Sequence, residues 1–267
     1  MRIKRENMNT NYDRNRTERV LSLALDLGKS MIKCGAEINR VEETITHIGF
    51  AYGMKSTEVF SVVSMITATV ADEGGRTHTQ TRRIYSYSIN FDKLEQLNAL
   101  SRKICTEKPD TEKAREELEK IMVPSRLFNP IVLFGYMIAS AGFAVFFGGT
   151  VMDGLATMPI SAMIYLLNSF VKVTGASRLF FTALTSALSG SLALFFVHIG
   201  FGTNADMIMI GNIMLLIPGL MMTNSVREML CGDMMSGILR LLESVILALS
   251  IAVGFAIPIY ISGFLGV

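Results

Sequence analysis

The residues best suited to chemistry cluster in one uncharged stretch, 207–226. Pro218 lacks an N–H and interrupts a helical hydrogen-bond ladder, and Gly219 adds backbone freedom beside it. In a helix crossing a membrane, such a step frees amides and carbonyls that can hold an anionic group or an ion. Asn212 and Asn224 lie six residues before and after Pro218, and either can hydrogen-bond a small polar ligand. Asn168 in the stretch 154–171 is a further candidate for substrate binding, and the plainer account is a packing kink at Pro218 with all three Asn side chains bonded to neighbouring helices. Glu243 has Leu241 and Leu242 before it and SVILALSIAV after it. An acid in such surroundings is costly and suited to carrying a proton. Alternatively it pairs with Arg227 or with Arg240, a neighbour on one helical face. Arg178, Arg227 and Arg240 border apolar stretches, where they can gather anions at an inner mouth or anchor topology.

A second group lies in the charged half. Glu37, Arg40, Glu42 and Glu43 share one helix, and paired carboxylates can do acid–base work. No nucleophile, ligand set or phosphate loop accompanies them, so a solvated or interdomain salt-bridge face is expected and no catalytic residue is assigned. Ser61, Ser64 and His78 are too unspecific to build a hydrolase. Cys34, Cys105 and Cys231 stand far apart, form no CxxC pair, and have none of His47, His78 and His198 at ligand spacing. Neither a metal, a cofactor nor a disulfide framework is expected, and the thiols read as buried or lipid-facing.

The elements that must position these residues divide sharply. Half of the 267 residues are apolar and 18% are charged, which excludes a disordered chain. Residues 1–126 carry 21 Lys/Arg and 18 Asp/Glu, leaving 4 and 5 of the totals of 25 and 23 for the remainder. The first half is mixed in sign and has no concentrated basic patch for nucleic acid. Five uncharged stretches follow Arg126, at 127–152, 154–171, 179–205, 207–226 and 244–267. Each has the roughly 18 residues that a membrane-crossing helix needs. The expected architecture is an all-α five-helix transmembrane bundle over 127–267, with spans near 130–149, 154–171, 179–201, 207–226 and 243–264. Arg126, Lys172, Arg178, Arg227 and Arg240 fall on one side, and Asp153 and Asp206 on the other. That bias places the first half in the cytoplasm and the C-terminus outside.

Residues 1–16 read as a flexible tail with no apolar signal region. Residues 17–126 read as a small cytoplasmic α+β domain of order αα-ββ-αα. Val20, Leu23, Leu27 and Met31 line one helix. Ile38, Val41, Ile45, Ile48 and Tyr52 line the next, which Gly53 ends. TEVFSVVSMITATVA and THTQTRRIYSYS form a hairpin turning at Asp72–Gly75. Arg82 and Arg83 then point to opposite faces. Two charged helices follow, divided near Pro109, and Asp206 caps the fourth span.

Two blocks carry a resemblance. GAEINRVEETITHIGFAYGM (35–54), with Gly35, Glu37, Arg40 and Glu42, resembles the N-terminal signature of the threonine/serine exporter family. GNIMLLIPGLMMTNSVREMLCGDMMSGILRLLES (211–244) resembles its membrane signature. The resemblance covers roughly 17–267. Some members fuse two membrane halves and others split them. A chain stopping after a fifth span resembles the longer subunit of a split pair, of which an exporter of succinate-type dicarboxylates is an example. The resemblance implies a bacterial inner-membrane protein that exports a small carboxylate-bearing metabolite, an amino acid or a dicarboxylate. It also implies a short membrane-only partner subunit and alternating access. The competing reading is a membrane-anchored regulatory or sensory protein whose cytoplasmic domain is the active part.

Overall fold

The computed structural model describes the backbone of residues 2–85, 88–123, 128–174 and 177–265, and the side chains of these from residue 16 onward except 171–174 and 265. Arg126 and the Lys172 side chain, both used in the charge bias, lie outside the described residues. The chain forms two compact units, one of residues 1–124 and 224–240, the other of 125–223 and 241–267.

The first unit is built around α1 (Arg2–Lys33). The expected stripe of Val20, Leu23, Leu27 and Met31 is buried, but so are Leu21, Leu25 and Ile32. A helix buried over so wide a face needs neighbours on several sides, and α1 touches α2 (Ile38–Ala51), α3 (Phe91–Glu107), α4 (Thr111–Met122) and the sheet. α2 buries Ile38, Val41, Ile45 and Ile48 as its spacing requires and stops at Tyr52 and Gly53. The division near Pro109 is also present, with Lys108 left-handed at the end of α3.

The sheet differs from the expected hairpin. It is an antiparallel meander of three strands, β1 (Ser56–Val62), β2 (Met65–Ala71) and β3 (Thr77–Arg83), in the order β1-β2-β3. The run TEVFSVVSMITATVA folds back on itself, pairing Val62 with Met65 and Ser56 with Ala71. Val63 and Ser64 form the turn without the Gly, Asn or Asp that marks most two-residue turns, so the sequence reads as one strand. The second turn is where expected: Asp72 accepts from the Arg76 backbone N–H at 2.9 Å and from its Nε at 2.8 Å. One sheet face buries Ile66, Ala68 and Val70, while the other pairs Thr67 with Thr81 and Thr69 with Thr79 through their hydroxyls. Arg82 reaches Asp26 of α1 at 2.7 Å, and Arg83 lies over the Tyr85 ring.

The second unit contains α5 (Pro130–Phe146), α6 (Val151–Thr174), α7 (Arg178–His198), α8 (Ala205–Leu216) and parts of α9 (Gly219–Leu230) and α10 (Met234–Leu265). Among the described residues three helices, α6, α7 and α10, are long and apolar enough to cross a membrane, and α8 with α9 makes a fourth candidate if the bent pair is one span. α5 has 17 residues, about 25 Å at 1.5 Å per residue, shorter than the roughly 30 Å of hydrocarbon. The stretch 207–226 breaks at its Pro-Gly step, into two helices bent by 47° at Ile217–Pro218. α10 begins nine residues before the expected 243.

This unit reverses the soluble pattern. Large apolar side chains such as Phe134, Phe180 and Leu249 face outward, while Ser140, Thr157, Ser161, Thr185, Ser186 and Ser189 are buried. The hydroxyls of Ser140, Thr157, Ser161, Ser186 and Ser189 donate to carbonyls of their own helices, as Ser189 does to Thr185 at 2.7 Å and Thr157 to Gly154 at 2.7 Å. Helices in lipid satisfy polar groups in this way and pack through small residues. A Cβ at Gly211 would lie 2.6 Å from the Ser140 carbonyl oxygen, so only glycine lets α8 approach α5 this closely.

Asp153, expected only as a flank, is a fully buried junction. Its carboxylate accepts from the N–H and hydroxyl of Thr150, from the N–H and hydroxyl of Thr203, and from the Asn204 N–H, at 2.6–2.9 Å. Thr150 and Asp153 form a capping box at the start of α6. α8 is capped by Asn204, which accepts from the Asp206 and Met207 N–H groups, and not by Asp206. Asp153→Ala leaves several donors unsatisfied at about 1–3 kcal/mol each, whereas Asp206→Ala loses about 1 kcal/mol or less of helix-end interaction. Thermal unfolding of the detergent-solubilised protein is expected to show a large fall in Tm for the first and little change for the second.

Candidate functional site

The polar step in 207–226 is built by Pro218. Its ring nitrogen cannot donate to Met214, so the ladder of α8 ends with the Ile217 N–H on Ile213 at 3.0 Å, and a new one begins with the Met222 N–H on Pro218 at 3.0 Å. Gly219 donates to Ile217 at 2.9 Å and has open space where a Cβ would stand. Asn212 is fully buried on the last turns of α8. Its Nδ2 donates to the Ile208 carbonyl at 2.9 Å, and its Oδ1 has no hydrogen-bond partner among the described residues. A buried acceptor left without a donor costs about 1–3 kcal/mol, which suits a group that bonds a ligand. Asn168 is half-buried on α6 and bonds Tyr136 of α5, as the plainer account requires. Asn224 is half-buried on α9 and belongs to the first unit, so the structure brings Asn212, Pro218 and Gly219 together in one unit without it.

The two sequence blocks meet inside the first unit. Gly35, with a positive φ of 93°, turns the chain out of α1 and aims the N-terminus of α2 at the turn between α9 and α10. Ala36 accepts from Arg240 Nη2 at 3.2 Å, and Glu37 pairs with Arg227 at 2.8 Å. The Ile38 N–H faces the Glu228 carboxylate, and Asn39 Nδ2 reaches the Cys231 carbonyl at 3.4 Å. Contacts between residues 192 and 204 positions apart therefore join the motifs. The GD-x-x-SG run supplies the other side. Gly232 takes a φ of 101° at the turn, and a Cβ at Gly237 would meet the Ser225 carbonyl at 2.7 Å, so α9 and α10 can pack closely.

At the centre, Arg240 Nη1 lies 2.8 Å from Glu228 Oε1, with both residues 2% exposed. Arg240 is thus sealed inside the unit, while Arg227 is 63% exposed at its side chain and Arg178 is exposed at the start of α7. Glu243 is half-buried on α10. The cluster on α2 separates: Arg40 and Glu43 form an exposed pair, and Glu42 accepts the Ser61 N–H and hydroxyl at 2.7 and 2.8 Å, tying α2 to β1. Among the described residues no group of three or more His, Cys, Asp or Glu could hold a metal ion, and Cys34 is buried, Cys105 half-buried and Cys231 exposed. The sequence reading missed Glu228 and Asp233. The available signal was Glu228 twelve residues before Arg240, across a turn marked by Gly232.

A family model described as "Putative threonine/serine exporter" matches residues 22–262. The chain belongs to the threonine/serine exporter family. It is 24% identical to the threonine/serine exporter of Corynebacterium glutamicum, over 96% of this chain and 54% of that protein. It is 22% identical to a probable threonine/serine exporter of Mycobacterium tuberculosis, over 91% of this chain and 46% of that protein. The chain spans about half the length of these curated relatives. No solved structure matches it. Family membership and the long apolar helices together make this a multi-pass membrane protein.

Arg240→Ala strands Glu228 without its buried partner, at a cost of about 3–5 kcal/mol. Arg227→Ala removes an exposed pair worth about 1 kcal/mol or less. Limited proteolysis of the two variants in membranes is expected to show opening of the first unit only for Arg240→Ala.

Proposed function

We propose that the chain is one subunit of a secondary exporter of small carboxylate-bearing metabolites, of the threonine/serine or dicarboxylate type. The observation that carries this reading is the helix break at Ile217–Pro218 beside a fully buried Asn212 whose Oδ1 has no partner. A break at membrane depth offers helix-end dipoles to an anionic group, and an unpaired amide oxygen accepts from an ammonium or hydroxyl. Pro218 and Gly219 position the substrate carboxylate, and Asn212 orients the rest. The polypeptide is a carrier and not an enzyme.

The curated relatives carry about as much chain again, and a second, short membrane-only subunit corresponds to that remainder. The two would form the five-plus-five arrangement of paired repeats that supports alternating access, with α5 as the first of five spans here. The N-terminal domain lies in the cytoplasm and the C-terminus lies outside.

Release of threonine, serine and succinate from cells expressing this chain, its partner, or both tests the reading. Release is expected only with both. Pro218→Ala and Asn212→Leu are each expected to lower it roughly tenfold, the equivalent of one hydrogen bond of about 1.4 kcal/mol. Unchanged release in both variants would remove the site assignment, and full release from this chain alone would remove the partner.

A further inference from the structure

The turn between α9 and α10 holds more acid than its ion pairs balance. Glu228 is 2% exposed, with Oε1 against Arg240 and Oε2 without a hydrogen bond among the described residues. Asp233 follows five residues later. Its N–H donates to the Glu228 carbonyl at 3.0 Å, and its Oδ2 is sheltered from solvent with no hydrogen-bond partner among the described residues. Facing Glu228 are Arg240 from α10, Asp233 from the turn, and Glu37 with the Ile38 N–H from α2. Glu37 is itself engaged by Arg227 of α9. Among the described residues, Glu37 with Arg227 and Glu228 with Arg240 cancel, which leaves one carboxyl of the Glu228 and Asp233 pair uncompensated. An isolated carboxylate in a sheltered site is expensive, and taking up a proton removes the charge. Burial pushes the Asp233 carboxyl above its ordinary range, in keeping with that count.

We propose that Glu228 and Asp233 together hold one exchangeable proton, and that this pair, rather than Glu243, is the proton-binding site that drives the exporter. The role in export rests on the reading above, whereas the proton itself does not. One proton bound on a carboxyl oxygen leaves Arg240 balanced by a single carboxylate. Its release adds one negative charge beside the first turn of α2. Proton exchange is thereby tied to how residues 35–39 are held against 227–240. The two acids titrate as a pair, so either one can carry the proton.

Infrared difference spectra of the full-length protein in lipid vesicles, between about pH 5 and pH 8, avoid most ordinary carboxyls, which titrate near pH 4. A protonated-acid C=O band that shifts in D2O is expected in the wild type. Glu228→Gln and Asp233→Asn should each remove or displace it, and Glu243→Gln should leave it in place. A band unaffected by the first two variants, or lost with Glu243→Gln, overturns the site. In vesicles holding both subunits, Glu228→Gln should retain substrate exchange and lose uptake driven by a pH gradient. Retained gradient-driven uptake overturns the coupling role. A wild type with the infrared band but no exchange overturns the exporter reading and leaves the proton site standing.

Discussion

Arg240 is a cation with almost no access to water, and the arrangement of the first unit follows from satisfying it. A guanidinium cannot discharge by losing its proton, so burial obliges nearby carboxylate and carbonyl partners. Glu228 and the Ala36 carbonyl meet that need from opposite directions. For Glu228 to arrive, α9 and α10 must turn tightly, which the positive φ of Gly232 allows, and pack closely, which Gly237 allows. For Ala36 to arrive, the chain must leave α1 at Gly35 and start α2 immediately. Both motifs are thus descriptions of one contact. Such a pair is poor at adding net stability. It is better suited to fixing which segments meet and to making their meeting depend on charge.

The second unit obeys a different constraint. Its surroundings offer no hydrogen bonds, so buried hydroxyls such as those of Ser186 and Ser189 turn back on their own helix, and glycine or serine lines the close approaches. Two features break that economy. Asp153 is charged but saturated by donors from two turns, which makes it a structural knot. Asn212 is neutral, and its Oδ1 has no hydrogen-bond partner among the described residues.

Much of this was legible in the sequence. The 3-and-4 spacing in 38–48 placed α2 and its buried face, and Pro218 placed the break, because period and proline act locally. The third strand was not legible, because the Val63–Ser64 turn is made of strand-forming residues. The role of Arg240 was not legible either. Its position between apolar runs suggested an anchor, and only the tertiary fold brings Glu228 and Ala36 to it. Asp153 was readable in principle from the Thr150–Asp153 spacing, yet its bonds to Thr203 and Asn204 depend on two turns meeting in space.

The central claim is that residues 35–39 are held against the turn between α9 and α10. Thiol cross-linking in membranes tests it directly, using Asn39→Cys with the native Cys231 after Cys34 and Cys105 are replaced by serine. Asn39 reaches the Cys231 carbonyl at 3.4 Å, so oxidation or a short bis-maleimide should join the pair rapidly within one chain. A control cysteine at exposed Glu58 should not react with Cys231. Absence of the 39–231 cross-link, with both thiols open to labelling, would contradict the account.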